Sequence, residues 1–333
     1  MTSATVLGSG AWGTTFASVL TDAGTRTTLW GREAQVVASV QDEARNERSL
    51  PGLTLARGIL GTTDAEAALA GADIVAIAVP AQSARAIVAP LAPLIPADAI
   101  VVSLMKGIEV GTHARMSEVL AEALGIAPER VAVVSGPNLA REIAQRQPTA
   151  TVIAATDPIA AERVAAATAS AYFRPYTNSD VVGVELSGAY KNVIAVSVGI
   201  AAGLGLGNNT TATVITRGLA EITRLGLALG ARAETFSGLA GAGDLIATCA
   251  SPLSRNHTLG KYIGEGKTLA EAVALTGGTA EAVASAGSIQ ELAAGLGVEV
   301  PICEAVVAML AGKRPVQEVL NSLLSRPRKA EVG

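Results

Sequence analysis

Few side chains in this 333-residue chain carry a charge or an aromatic ring: 16% are Asp, Glu, Lys or Arg, and 3% are Phe, Trp or Tyr. Because half of the residues are hydrophobic, that balance excludes a disordered chain and leaves the cores to Ala, Leu, Val and Ile. Basic residues are not in excess, and a formal net charge of -4 speaks against nucleic-acid binding, which calls for a basic stripe. The two cysteines, Cys249 and Cys303, lie far apart and outside any CxxC spacing. Neither a disulfide framework nor a metal site is expected of them, and both read as reduced core thiols. His113 and His257 are the only histidines, minor acid/base candidates, and no histidine–carboxylate cluster supports a metal. Also missing is an apolar run of the ~20 residues that a membrane span requires. The longest, Val193 to Gly207, contains a serine and several glycines and has Lys191 at its edge. The chain enters a strand-and-turn pattern by Thr5, so no signal peptide is read and a cytoplasmic protein is expected.

What is present divides in two, and the length suits about two domains. Ala4-Thr5-Val6-Leu7 reads as an apolar strand, followed directly by Gly8-Ser9-Gly10-Ala11-Trp12-Gly13 and a helical run from Thr14 to Leu20. This is G-x-G-x-x-G between a strand and a helix. Gly8 permits the tight turn, Gly10 lets the backbone approach a pyrophosphate, and Gly13 allows close helix packing. A second strand over 27–30 runs into Gly31-Arg32, where an NAD site usually has Asp or Glu for the ribose 2′-hydroxyl. A basic residue there suits a 2′-phosphate, so Arg32, helped by Arg45 or Arg48, tilts the reading to NADP(H); the alternative is a solvated surface arginine.

Strands over 58–62, 74–79, 100–104, 131–134, 151–155 and 173–176 alternate with helices over 64–70, 83–94, 113–124 and 158–171. That alternation predicts a doubly wound, mostly parallel α/β sheet of Rossmann type. The glycine loop, Arg32, Pro80, Lys106 and Gly136-Pro137-Asn138 each fall just after a strand's carboxyl end, the edge where such folds bind ligands. Lys106 is therefore a candidate to face an anionic substrate.

The second half reads as helices only, which places an all-α domain over 180–333 after an α/β domain over 1–179. No proline interrupts residues 181–206, which read as one long buried helix with Lys191 and Asn192 in its middle. Burying an ammonium is costly and drives it towards the neutral form, so Lys191 is either a snorkelling surface residue or a working acid/base. Further helices are expected over 212–229, 269–274, 288–296, 301–311 and 316–324. Asp244 falls in a small-residue loop, where a carboxylate can meet a lysine or cap a helix starting at Leu245. Ser254-Arg255-Asn256 offers a planar donor fork between a hydroxyl and an amide, a loop suited to phosphate.

Taken in order, GSGAWGT, MKGIE, SGPNLAREIA, ELSGAYKNVIAV, ITRGLAEITRLG, GLAGAGDLIATCASPLSRN and the later Glu281 resemble bacterial NAD(P)-dependent glycerol-3-phosphate dehydrogenases over nearly the whole chain. The resemblance implies that Ser9, Trp12, Arg32, Lys106, Ala140, Arg255 and Glu281 contact the cofactor, beside the glycines of the loop. It implies that Lys106, Gly136, Lys191, Asp244, Ser254, Arg255 and Asn256 contact substrate and that Lys191 is the proton acceptor. Asn192 would be a second polar contact. NADP(H) is favoured with NAD(H) admitted, no metal is required, a homodimer is allowed, and the product would feed phospholipid synthesis. Asn138, Asn208, Thr211 and Thr279-Ala280 depart from the pattern of many relatives. Whether Lys191 titrates near working pH is left open, since Asp244 and Lys106 would pull it in opposite directions. Two rivals stand beside this reading: a 3-hydroxyacid or 6-phosphogluconate type dehydrogenase, and a non-catalytic NADP(H) sensor.

Overall fold

Apolar, β-branched stretches punctuated by glycine and proline assemble into one eight-stranded sheet in the computed structural model, which describes residues 1–252, 254–277, 281–313, 316 and 318. Thr279, Ala280 and most of the helix expected over 316–324 lie outside the described residues. The strands are β1 (Ser3–Leu7), β2 (Arg26–Trp30), β3 (Leu60–Thr62), β4 (Ile74–Ile77), β5 (Ile100–Ser103), β6 (Val131–Ser135), β7 (Thr149–Ala155) and β8 (Phe173–Asn178). Their order is β3-β2-β1-β4-β5-β6-β7-β8, and all neighbours are parallel except β6 and β7. Every residue of β1, β4, β5 and β6 is buried, as a parallel sheet covered on both faces requires.

The connecting helices are α1 (Ala11–Asp22), α2 (Ala34–Glu43), α3 (Ala65–Leu69), α4 (Ala84–Val88), α5 (Met116–Leu124), α6 (Ala140–Ala144) and α7 (Pro158–Thr168). Helices α2 and α6 are additional to the sequence reading, α7 ends at Thr168 rather than 171, and two others differ for an evident physical reason. The helix expected over 83–94 is a short α segment between 3-10 turns, because Pro90 and Pro93 lack the N–H that would continue it. The helix expected from His113 starts at Met116, since His113 has a left-handed φ of 59°.

Beyond Asn178 the described residues contain helices and no strand: α8 (Val181–Gly203), α9 (Asn208–Ala228), α10 (Ala233–Ser237), α11 (Asp244–Ala250), α12 (Arg255–Gly264), α13 (Leu269–Leu275), α14 (Glu281–Gly295) and α15 (Pro301–Leu310). The expected loop around Asp244 is instead a π-helical turn, Leu239–Gly243, that runs straight into α11. Asp244 is therefore the first residue of a helix rather than its cap. Arg255 likewise opens α12 rather than sitting in a loop, and the Ser254 hydroxyl caps it by accepting the His257 N–H at 3.3 Å. The helix expected from 288 begins at Glu281.

Helix α8 is the axle of the second half. It is long and apolar enough to cross a membrane, yet 89% of its apolar window is buried inside the protein. A helix apolar all round belongs in a core. Helix α12 crosses it with the backbones in direct approach. A Cβ on Gly199 would lie 2.0 Å from the His257 carbonyl oxygen, and one on Gly260 would lie 2.1 Å from that of Val196. Those reciprocal glycines bring the start of α12, with Arg255 and Asn256, close to the middle of α8. At the other end Asp180 caps α8 through the Gly183 N–H at 2.9 Å and also accepts the Arg232 N–H and the Thr235 hydroxyl.

Candidate active site

Strands β1, β2, β4, β5 and β6 all point the same way, so the glycine loop, Arg32, Pro80, Lys106 and Gly136 lie along a single edge of the sheet. The strand order reverses between β1 and β4, which opens a crevice at that edge. Gly8, at φ +120°, has no room for a side chain: a Cβ would lie 2.4 Å from the Ala78 carbonyl oxygen. A Cβ on Gly13 would lie 2.0 Å from the Gly8 carbonyl oxygen. Gly10 is different, for a Cβ there meets nothing within 4 Å.

Gly10 is also the N-cap of α1 and offers no side chain to the N–H groups of the first turn, which are left for a ligand. Trp12 Nε1 is buried without a partner beside them. Open space, free backbone donors and an orphaned ring N–H fit the pyrophosphate of a dinucleotide. Asn46, buried in a charged stretch with no motif to signal it, ties the loop down by donating to the Ser9 carbonyl at 3.0 Å and the Thr14 hydroxyl at 2.8 Å. Arg32 is exposed just beyond β2, whereas Arg48 pairs with Glu33 and Arg45 with Glu47, so the two expected helpers are engaged elsewhere. The Ala140 carbonyl accepts the Thr15 hydroxyl at 3.2 Å, which sets α6 against α1.

The second part of the site is a buried cluster of charge. Lys191, 7% exposed on α8, donates from Nζ to Asp244 Oδ1 at 2.5 Å and to Thr248 Oγ1 at 2.8 Å. Lys106 Nζ donates to Asp244 Oδ2 at 2.6 Å and to the Gly136 carbonyl at 3.0 Å. One carboxylate therefore bridges two ammonium groups. Burial is the largest influence on Lys191 and pushes its pKa down to about 8; Asp244 opposes this and the neighbouring Lys106 charge reinforces it. Burial thus decides the direction that sequence left open. Thr248 carries no motif in the sequence, although it stands one helical turn after Asp244; a stretch that reads as a loop conceals that spacing.

Asn192 turns away from Lys191 and donates to Glu281 Oε2 at 3.3 Å. Burial pushes the Glu281 carboxyl up, and the Arg255 charge is the main influence holding it down. Asn256 Oδ1 accepts the Ala282 N–H at 3.3 Å, so the starts of α12 and α14 meet. The structure thus brings Lys106, Gly136, Lys191, Asp244 and Thr248 into direct contact, with Asn192, Arg255, Asn256 and Glu281 forming an adjoining network. Asn138 donates to Thr151 Oγ1 at 3.0 Å, and its Oδ1 is buried without a partner, as is Ser135 Oγ. His113 pairs with Glu291 at 2.7 Å. Among the described residues no three His, Cys, Asp or Glu side chains converge as a metal site needs. A cavity of about 620 Å³ lies elsewhere, beside Arg115, Ser117, Asp180 and Arg232, and none of the candidate residues lines it.

Two family models match, described as the NAD-dependent glycerol-3-phosphate dehydrogenase N-terminus over residues 3–161 and C-terminus over residues 180–321. A glycerol-3-phosphate dehydrogenase [NAD(P)+] of Streptomyces griseus is 54% identical over 329 residues, which cover 98% of either chain. One from Corynebacterium glutamicum is 53% identical over 332 residues, covering 99% of this chain and 100% of its own. The crystal structure of the Coxiella burnetii glycerol-3-phosphate dehydrogenase superposes with a TM-score of 0.91 at 35% identity, over 98% of this chain and 99% of that one. The chain, with its glycine cradle and buried lysine, belongs to the NAD-dependent glycerol-3-phosphate dehydrogenase family.

Proposed function

We propose that the chain interconverts sn-glycerol 3-phosphate and dihydroxyacetone phosphate, with Lys191 as the group that gives and takes the proton. The observation that carries this is a buried ammonium, held by Asp244 and Thr248, whose pKa lies near 8 rather than in the ordinary lysine range. When bound, the nicotinamide would supply or accept the hydride at substrate C2. In reduction, Lys191 Nζ–H polarises the C2 ketone oxygen and passes its proton to that oxygen as the C–H bond forms. In oxidation, neutral Lys191 takes the proton from the C2 hydroxyl. A pKa near 8 leaves both forms accessible close to neutral pH.

Around that step, Asp244 and Thr248 aim the ammonium, and Lys106 and Gly136 meet the substrate at the end of β5 and β6. Ser254, Arg255 and Asn256, at the start of α12, hold the phosphate, so that remote binding energy positions C2. Gly8, Ser9, Gly10, Trp12 and Gly13 would hold the cofactor, with Arg32, Lys106, Ala140, Arg255 and Glu281 contributing further contacts. Arg32 selects NADP(H): its acidic neighbour Glu33 is tied to Arg48, which leaves an exposed guanidinium for a 2′-phosphate. The same proposal takes 1–179 as the cofactor domain and 180–333 as the substrate domain, with cytoplasmic supply of glycerol 3-phosphate to phospholipid synthesis and a homodimeric assembly.

The test is a spectrophotometric assay of the purified chain with NADPH or NADH against dihydroxyacetone phosphate, unphosphorylated dihydroxyacetone and simple 3-oxoacids. NADPH oxidation that requires the phosphorylated ketone is the expected result. Equal turnover of unphosphorylated substrates contradicts the phosphate assignment, and equal kcat/KM for NADH and NADPH contradicts the Arg32 assignment.

A further inference from the structure

We infer that Glu185 is a positioning residue for Lys191: its carboxylate locks α8 to the start of α5 and so fixes where the Lys191 ammonium stands relative to Asp244 and Lys106. This rests on the proton-transfer role proposed for Lys191.

Glu185 is 6% exposed, yet its oxygens are well supplied with donors. They accept the Ser117 N–H at 2.7 Å, the Ser117 hydroxyl at 2.5 Å and the Arg115 guanidinium at 3.1 Å. The Ser117 N–H belongs to the first turn of α5 and has no intrahelical partner, so a carboxylate from the second half of the chain completes a helix of the first. Directional bonds to a buried charge specify a register that apolar packing alone leaves free. An open cleft of about 620 Å³ lined by Arg115, Ser117 and Asp180 flanks the α5 side of this contact.

Glu185, Gly188 and Lys191 follow one another at i, i+3 spacing along α8, each about 60° around the axis from the last, so Glu185 and Lys191 flank the face that Gly188 presents. No side chain intervenes at Gly188, where a Cβ would lie 2.8 Å from Ser135 Oγ and 3.4 Å from Lys106 Cγ. About 9 Å of rigid helix therefore joins the latch to the ammonium. The connection from β5 to α5 closes the circuit. Ile108, two residues past Lys106, forms an antiparallel bridge with Arg115, and Arg115 holds Glu185. Lys106 meets Asp244, and Asp244 meets Lys191. The ring runs from Glu185 through Arg115, Ile108, Lys106, Asp244 and Lys191 and returns along α8, so a cut at Glu185 loosens the opposite side.

The charged groups facing Lys191 are Asp244 on α11, Lys106 after β5 and Glu281 on α14, with the Cys249 thiol next to it on α11. None of these residues is itself altered in Glu185→Ala. In that variant of the full chain, kcat for dihydroxyacetone phosphate reduction falls about 10- to 100-fold, the effect of a small misplacement, while NADPH binding persists. The Lys191-dependent limb of the pH–rate profile moves to lower pH by about one unit, because the ammonium loses support from Asp244 while remaining buried. Glu185→Gln, which keeps an acceptor for the Ser117 N–H, brings the limb back towards its original position. A loss of activity with the limb unmoved marks a merely structural role and overturns the inference, as does unchanged kcat. Should Glu185→Ala fail to fold, Arg115→Met combined with Ser117→Ala removes both side-chain donors to Glu185, and an unmoved limb there overturns the inference equally. Lys191→Met separates the two layers. If it retains turnover and the limb, the role of Lys191 and the latch fall together; if it is inactive and Glu185→Ala leaves the limb in place, only the latch falls.

Discussion

The cofactor cradle and the ammonium cluster are built in opposite ways. The cradle is a run of consecutive residues, 8–13, whose shape comes from backbone and from missing Cβ atoms. The cluster is assembled from distant side chains, with Lys106 and Asp244 138 positions apart and Lys191 and Asp244 53 apart. In the cradle, free donors await a ligand. In the cluster, every charge already has a partner, so removing one strands the others in a buried site. The difference implies that binding and chemistry can be broken separately.

Lys191→Met is the largest expected break: kcat falls about 10²- to 10⁴-fold, the range for a lost general acid or base, while NADPH still quenches protein fluorescence on binding. Loss of NADPH binding in that variant would show the two parts to be one unit. Gly10→Val probes the other side. No protein atom lies within 4 Å of the new Cβ, so the thermal midpoint holds while NADPH binding weakens about 10- to 100-fold as backbone donors are blocked. Gly13→Val makes the contrast sharper, since its Cβ would lie 2.0 Å from the Gly8 carbonyl oxygen and the loss is of folded protein. Arg32→Asp weakens NADPH about tenfold and NADH hardly at all; equal weakening of both breaks the assignment. Thr248→Val is the mildest. It removes one bond to the ammonium, worth about 1 kcal/mol, and lowers kcat about fivefold with both cofactors bound as before.

The same contrast governs how much could be read from sequence. The cradle, most of the alternation of strands and helices, and the long helix around Lys191 depend on local pattern and lie close to where that pattern puts them. Gly241-Ala242-Gly243 reads as flexible, which puts Asp244 in a loop. In fact Gly241 is small because a Cβ would lie 2.0 Å from the Phe236 carbonyl oxygen, and the turn is packed. The loop reading also conceals Thr248, whose spacing from Asp244 means something only on a helix. Asn192 reads from sequence as a second polar contact beside Lys191; that the distant start of α14 places Glu281 within its reach shows only in the fold. Asn46, and the bond from Glu185 to Ser117, join segments with no shared motif, so only folding reveals them. The direction in which Lys191 titrates also needed three dimensions, because burial outweighs the carboxylate beside it.

The most direct test of that buried lysine is kcat/KM against pH for both directions of the wild-type reaction. Reduction of dihydroxyacetone phosphate needs the protonated amine, so its profile should be level below about 8 and fall above it. Oxidation of glycerol 3-phosphate needs the neutral amine and should rise through the same region. Opposite limbs near pH 8, both lost in Lys191→Met, are the expected result. Limbs of the same sign in both directions, or a break that survives in Lys191→Met, would contradict Lys191 as the proton-transferring group.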